Sequence, residues 1–218
     1  MTALTLIRHG ETDWNRDRRI QGTTDIPLND HGRAQARATA EALRERLDDA
    51  GAVTIASSDL ARARETAEII ASELGIPGPR VYPELRERAY GEAEGLGVDE
   101  FRARWGDWYT AEVPGAEPWA DLRARGTAAL ARVVRDHRDA VRAAASSEPD
   151  LRGDAAGDGR DDGTLIVVSH GALIRELIRH ATAGELPPAG ERLLNGSMHD
   201  FVFEGDLLRL VAYAGLVV

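Results

Sequence analysis

Short apolar runs recur along the chain at "ALTLIR", "AVTIAS", "TLIVVS" and "DFVFEG". Each is rich in aliphatic and β-branched residues and is bounded by polar residues or glycine, the pattern of strands in a sheet. Between the first three runs lie longer stretches in which apolar positions return at helical spacing. The stretch "NDHGRAQARATAEALRERLDDAG" opens on the capping residues Asn29 and Asp30 and closes on Gly51, which predicts a helix. Leu60, Ala63, Ala67, Ile70 and Leu74 share one face of a second helix, behind the cap candidates Ser58 and Asp59 and ahead of Gly75. A third, over about residues 121–145, carries Leu122, Leu130, Val133, Val134 and Val141 on its apolar side. Strands alternating with helices predict an α/β protein, and no internal repeat is present.

Composition narrows this picture. With 218 residues and 43% hydrophobic content, the chain can bury one sizeable core, so a single domain over residues 1–218 is expected. Residues 146–163, "SSEPDLRGDAAGDGRDDG", are polar and rich in Gly and Asp, and read as a flexible surface insertion whose spacing fits no calcium loop. The absence of cysteine excludes disulfides, thiolate nucleophiles and cysteine-based zinc sites. No apolar run approaches the roughly 20 residues that span a bilayer. Arg8 interrupts the first run too early for a signal peptide, so a cytoplasmic location is expected. A formal net charge of −10 argues against nucleic acid or an anionic membrane as partner. It leaves room for a locally cationic pocket and a small phosphorylated substrate.

Candidate chemistry gathers at the strand ends. "TLIRHG" ends on Arg8 and His9, and "TLIVVSHG" ends on Ser169, His170 and Gly171. Ligands of open α/β sheets bind outside the carboxyl ends of the strands, so the two histidines are expected to face one crevice. A helix starting at Gly171 would add free N–H groups and the positive end of a helix dipole beside His170. "SDLARARETA" places Arg62 in the first turn of its helix near the same edge, and "ELRERAYGE" offers Glu87. Two arginines, two histidines and a carboxylate suit phosphoryl transfer: cations stabilise the equatorial oxygens, an imidazole attacks phosphorus, and a carboxylic acid protonates the leaving oxygen.

Taken in order, "LIRHGETDWN", "QGTTDIPLNDHGRAQA", "SSDLARARETA", "ELRERAYGEAEG" and "VVSHGALIREL" resemble the histidine phosphatase, or phosphoglycerate mutase-like, superfamily, from the start of the chain to about residue 180. The resemblance implies a three-layer α/β/α sandwich with a mostly parallel central sheet and a small capping region near residues 88–120. It implies that His9 is the nucleophile that becomes phosphohistidine, that Arg8, Arg62 and His170 bind the transferring group, and that Glu87 serves as acid and then base. Asn15, Gly22, Thr23 and Thr24 would lie close to the phosphate or substrate. No metal or other cofactor is needed in this scheme, because arginines and an imidazolium supply the charge. His9 must attack as neutral imidazole while His170 is more useful protonated, so their pKa values are expected to be pushed apart.

Each assignment has a plain structural competitor: Arg64 for Arg62, and Glu84, Glu92 or Glu94 for Glu87. The remaining histidines, His31, His137, His180 and His199, read as structural. Trp105, Trp108, Tyr109 and Trp119 fit either core or a lid, and a lid is the reading adopted. Within the superfamily, Arg88 and Tyr90 in "ERAYG" match substrate-contacting positions of the mutases. Against this, Ala172 stands where mutases carry asparagine. "VPGAEPW" resembles the Gly-Gly-Glu-Ser region of the phosphatases, with Ala116 and Pro118 departing from it and the role of Glu117 open. The resulting expectation is a metal-independent phosphomonoester hydrolase acting on a small phosphorylated metabolite, with a mutase or a non-catalytic phosphate-binding protein as alternatives.

Overall fold

In the computed structural model, residues 1–47, 51–147, 163–205 and 207–217 are described. Most of the 146–163 insertion expected from composition lies outside them. The strands are β1 (Thr2–Arg8), β2 (Val53–Ser57), β3 (Arg80–Val81), β4 (Thr164–Ser169), β5 (Met198–Glu204), β6 (Leu207–Tyr213) and β7 (Leu216–Val217). They form one sheet in the order β3-β2-β4-β1-β5-β6-β7. Strands β1 to β4 run parallel, whereas β5, β6 and β7 join through antiparallel pairs. The helices are α1 (Asp13–Arg16), α2 (Asp30–Leu47), α3 (Ala61–Leu74), α4 (Val98–Trp105), α5 (Trp119–Ser147) and α6 (Gly171–Ala181). None among the described residues is long and apolar enough to cross a membrane.

Alternation along the central strands sorts the core into two layers. Ile7, Ile55, Ile166 and Val168 face Ala40 and Leu43 of α2 and Ala63, Ala67 and Ile70 of α3. Leu4, Leu6, Leu165 and Val167 face Leu130 and Val134 of α5 and Leu173 and Leu177 of α6. The three-layer α/β/α arrangement follows, because the central strands are apolar on both faces and must be covered twice.

The expected helices form, with one correction at their starts. Asn29 caps α2 by accepting from Gly32 N at 2.8 Å, and Gly75 closes α3 in the left-handed region at φ 69°. Ser58 and Asp59 do not cap α3. Its cap is Leu60, without a side-chain hydrogen bond, and Asp59 instead holds Arg86 through contacts of 2.7 and 2.5 Å. An ion pair with a distant arginine has displaced the local cap.

Parallel pairing sets the functional edge. The β1–β4 register matches Arg8 with Ser169, so His9 and His170 leave the sheet side by side. His9 N donates to Ser169 O at 2.9 Å. The loop after β1 lies against the start of α2, where a Cβ on Gly32 would sit 2.1 Å from Glu11 O. Alanine in place of a helical glycine ordinarily stabilises a helix by about 0.5–1 kcal/mol. Here the sign reverses: Gly32→Ala is expected to lower the unfolding free energy by about 1–3 kcal/mol in a urea titration, because backbone rather than a movable side chain stands in the way.

Candidate active site

At the end of β1, the His9 Nδ1–H donates to the Gly10 carbonyl at 2.6 Å. That bond leaves the lone pair on Nε2, which accepts from Arg62 Nε at 3.3 Å. The tautomer of His9 is therefore decided by its own neighbour's backbone. Asn195 Nδ2 donates to the carbonyls of His9 at 2.9 Å and Gly10 at 3.2 Å, and to Asn15 Oδ1 at 3.1 Å, clamping this turn from the β4-distal side of the sheet.

Arg62 lies in the first turn of α3 and is fully buried. Its Nη1 donates to Thr24 O at 2.9 Å and its Nη2 to Gly22 O at 2.7 Å, so the guanidinium is held by neutral carbonyls rather than by a carboxylate. The loop supplying them is folded around Glu94. That side chain accepts from Thr23 N at 2.9 Å, Thr24 N at 3.0 Å and Tyr90 N at 3.0 Å, and from the Thr24 hydroxyl at 2.5 Å. Burial alone would raise the Glu94 carboxyl, but these hydrogen bonds outweigh it and hold it below its ordinary value. Gly22 has φ +56°, and a Cβ there would meet Glu94 Oε1 at 2.1 Å, so the residue must be glycine.

His170 is the N-cap residue of α6 and is completely buried. Its ring stands 5.2 Å from that of His9, centroid to centroid, at 60°. Neither of its ring nitrogens has a hydrogen-bond partner, nor does the buried Nε of Arg8, whose Nη1 donates to Leu193 O. Unpartnered buried donors beside two guanidinium groups mark a place built for an anion. Burial lowers Arg8 to about 10, which leaves it cationic at neutral pH.

The expectation that the two histidines are pushed apart is not met. Burial, Arg62 and Arg8 push His9 well below 6.5. Burial, Arg62, His9, Arg8 and Arg125 do the same to His170. The reason is geometric: the carboxylate expected to favour imidazolium is turned elsewhere. Glu87 accepts from Ala172 N at 3.0 Å, Leu173 N at 3.2 Å and Arg88 N at 2.9 Å, and so occupies the N-terminus of α6.

The remaining sequence candidates fall into two groups. Thr23, Thr24 and Gly22 form the cradle of Arg62. Asn15 closes a capping box with Thr12 at the start of α1 and reaches the His9 turn through Asn195. Arg88 is buried, with its guanidinium 4.1 Å from the Trp119 ring centroid and 4.8 Å from that of Tyr90. Tyr90 is buried against Trp108. Trp105 and Trp108 pack on Phe101 against the main core, while Tyr109 stacks on Trp119 beside Arg88. The aromatic group is thus mainly core, and only its Trp119 end borders Arg88.

Three residues escaped sequence reading: Glu94, Asn195 and Arg125. Their signals were weak, a second acid in "GEAEG", an Asn-Gly turn in "LLNGS", and one arginine among many on a helix.

A family model of the histidine phosphatase superfamily (branch 1) matches residues 4–147. The uncharacterized phosphatase PhoE of Bacillus subtilis is 33% identical over 213 residues, covering 98% of this chain and 94% of that protein. A metal-independent phosphoserine phosphatase of Arabidopsis thaliana is 32% identical, covering 91% of this chain and 75% of its own. The solved structure of a mycobacterial glucosyl-3-phosphoglycerate phosphatase superposes with a TM-score of 0.72 at 31% identity, over 98% of this chain and 99% of that one.

Two expectations follow. Replacing Glu94 with Gln turns a donor toward backbone N–H groups, and should lower kcat/KM by about 10- to 100-fold by loosening Arg62. The second concerns pH. The folded chain holds both rings neutral, whereas unfolded histidine titrates near 6.5. The unfolded state therefore gains more protons as pH falls, and stability is lost below that value, by at most about 1.4 kcal/mol per ring per pH unit. Urea unfolding at pH 7 and pH 5 should show a smaller loss for His170→Asn than for the wild type.

Proposed function

From a chain that belongs to the histidine phosphatase superfamily, we propose hydrolysis of small phosphomonoesters through a phosphohistidine on His9 Nε2, with no metal taking part. One observation carries this reading: Nε2 of His9 is the ring nitrogen left unprotonated, and it lies among Arg62, the unpartnered His170 ring and the unpartnered Nε of Arg8.

A phosphate dianion bound there replaces lost solvation for the buried Arg62 guanidinium and the buried Nε of Arg8, and accepts hydrogen bonds from both. It also supplies the negative charge that draws a proton onto His170, so that ring becomes imidazolium on substrate binding rather than before it. Glu87 leaves the α6 N–H groups and takes up a proton from solvent as the dianion enters. Nε2 of His9 then attacks phosphorus in line. The P–N bond forms as the P–O bond to the alcohol breaks, and Glu87 gives that proton to the departing oxygen. Water enters, Glu87 takes its proton, the new P–O bond forms and the P–N bond breaks, which returns neutral His9 and releases phosphate. Positive charge is present throughout, so the growing charge on the equatorial oxygens meets donors already in position.

Esters of small carboxylate-bearing alcohols are the first substrates to examine. Relatives of this chain are named for phosphoserine and glucosyl-3-phosphoglycerate, and Arg88 lies next in sequence to the acid.

Phosphate release from phosphoserine, 3-phosphoglycerate and p-nitrophenyl phosphate, measured with a chelator present, is expected to persist in the wild type and vanish in His9→Ala. Acid-labile, base-stable label should be trapped on the wild-type protein alone. Release that survives His9→Ala, or that the chelator abolishes, would overturn the reading. Label passing to an added alcohol in preference to water would instead favour a mutase.

A further inference from the structure

Arg125, in the second turn of α5, has a use for each of its five N–H groups. Its Nε donates to Glu117 Oε1 at 2.9 Å and its Nη2 to Glu117 Oε2 at 2.8 Å, a bidentate pair. The other three point at consecutive turns of one backbone segment. Nη1 donates to Glu84 O at 2.8 Å and Arg86 O at 3.0 Å, while Nη2 donates to Glu87 O at 3.3 Å. The segment so gripped is the one that carries the acid.

Residue 117 closes the grip from the other side. Glu117 N donates to Ala89 O at 2.8 Å, and Arg88 Nε donates to Glu117 O at 2.7 Å. Glu87 therefore lies in a segment anchored on both sides, through the carbonyls of Glu84, Arg86 and Glu87 itself and through the Arg88 side chain and the Ala89 carbonyl, all tied to the Glu117–Arg125 pair. Apart from the turn at Pro83–Leu85, no helix or strand of the described residues includes residues 82–90. Side-chain hydrogen bonds must do what a regular element does elsewhere.

We propose that Arg125 and Glu117 form a positioning pair, neither touching substrate, that fixes the backbone of Glu87, so that its carboxyl turns from the α6 N–H groups to the leaving oxygen from one defined place. This rests on the reading of Glu87 as the general acid. A pair that only supported the fold would matter equally for every substrate. A pair that aims a proton donor matters only where the leaving group needs the proton.

Lysine cannot substitute, since its three N–H groups radiate from one point and cannot serve a bidentate carboxylate together with the carbonyls of residues 84, 86 and 87. Glu117→Gln keeps the size and one acceptor while removing the charge that orients the guanidinium.

The test compares kcat/KM, which reports events up to transfer onto His9, for p-nitrophenyl phosphate and for an alkyl ester such as β-glycerophosphate. The first leaving group departs as a stable anion; the second needs a proton. Glu87→Gln serves as the reference, with an expected loss of about 10²-fold or more on the alkyl ester and only a few-fold on the aryl ester. Arg125→Lys, Arg125→Ala and Glu117→Gln are expected to repeat that asymmetry in smaller measure, with Arg125→Lys no better than halfway to wild type. If Glu87→Gln shows the asymmetry and the three variants lose both substrates equally, the positioning role is overturned while the acid stands. If Glu87→Gln itself loses both equally, the acid reading falls and the positioning role with it. Should Arg125→Ala fail to fold, Glu117→Gln alone decides between these outcomes, because it leaves every carbonyl contact of Arg125 available.

Discussion

Everything in this site depends on two guanidinium groups, Arg62 buried and Arg8 half-buried, that have no carboxylate hydrogen-bonded to them. Arg62 is fully buried, and its head is satisfied by the carbonyls of Gly22 and Thr24. Neutral acceptors solvate a cation without cancelling its charge, so the charge stays free for a ligand. The same logic explains where the acids are. Glu94 sits one layer back, folding the carbonyl loop, and Glu87 rests on the N–H groups of α6. Placed directly on Arg8 or Arg62, either carboxylate would compete with phosphate for them.

The histidines follow from that arrangement. Burial among cations pushes both rings below the ordinary histidine value in the free protein. In the reaction proposed above, a bound dianion reverses the local potential, so His170 would take up its proton only with substrate present, and the site need not store a third cation beside two others. The N-terminus of α6 adds to the same potential and is occupied by the Glu87 carboxylate.

The scaffold's contribution is register. Because β1 and β4 are parallel neighbours with Arg8 opposite Ser169, two residues more than 160 positions apart in sequence emerge at one height. Strand β2, on the far side of β4, ends with Ser57 opposite Val168 and launches α3 toward the same edge. Three strand ends thus converge on one crevice at the carboxyl edge of the parallel strands. Glu87 comes from an irregular segment instead, whose carbonyls are gripped by Arg125, itself paired with Glu117.

Alternating strands and helices, the strand-end positions of Arg8, His9 and His170, and the helical register of Arg62 were all legible in the order of residues along the chain. Those features repeat every two or 3.6 positions or sit next to a strand end, so a linear string carries them. The roles of Glu94, Asn195 and Arg125 were not legible, nor was the pairing of Asp59 with Arg86 in place of a cap. Each acts on backbone groups far away in sequence, and nothing local distinguishes such a side chain from a solvated one. The histidine charges belong to the same class. Their direction is the sum of burial and of cations delivered by other elements, and that sum exists only once the chain has folded.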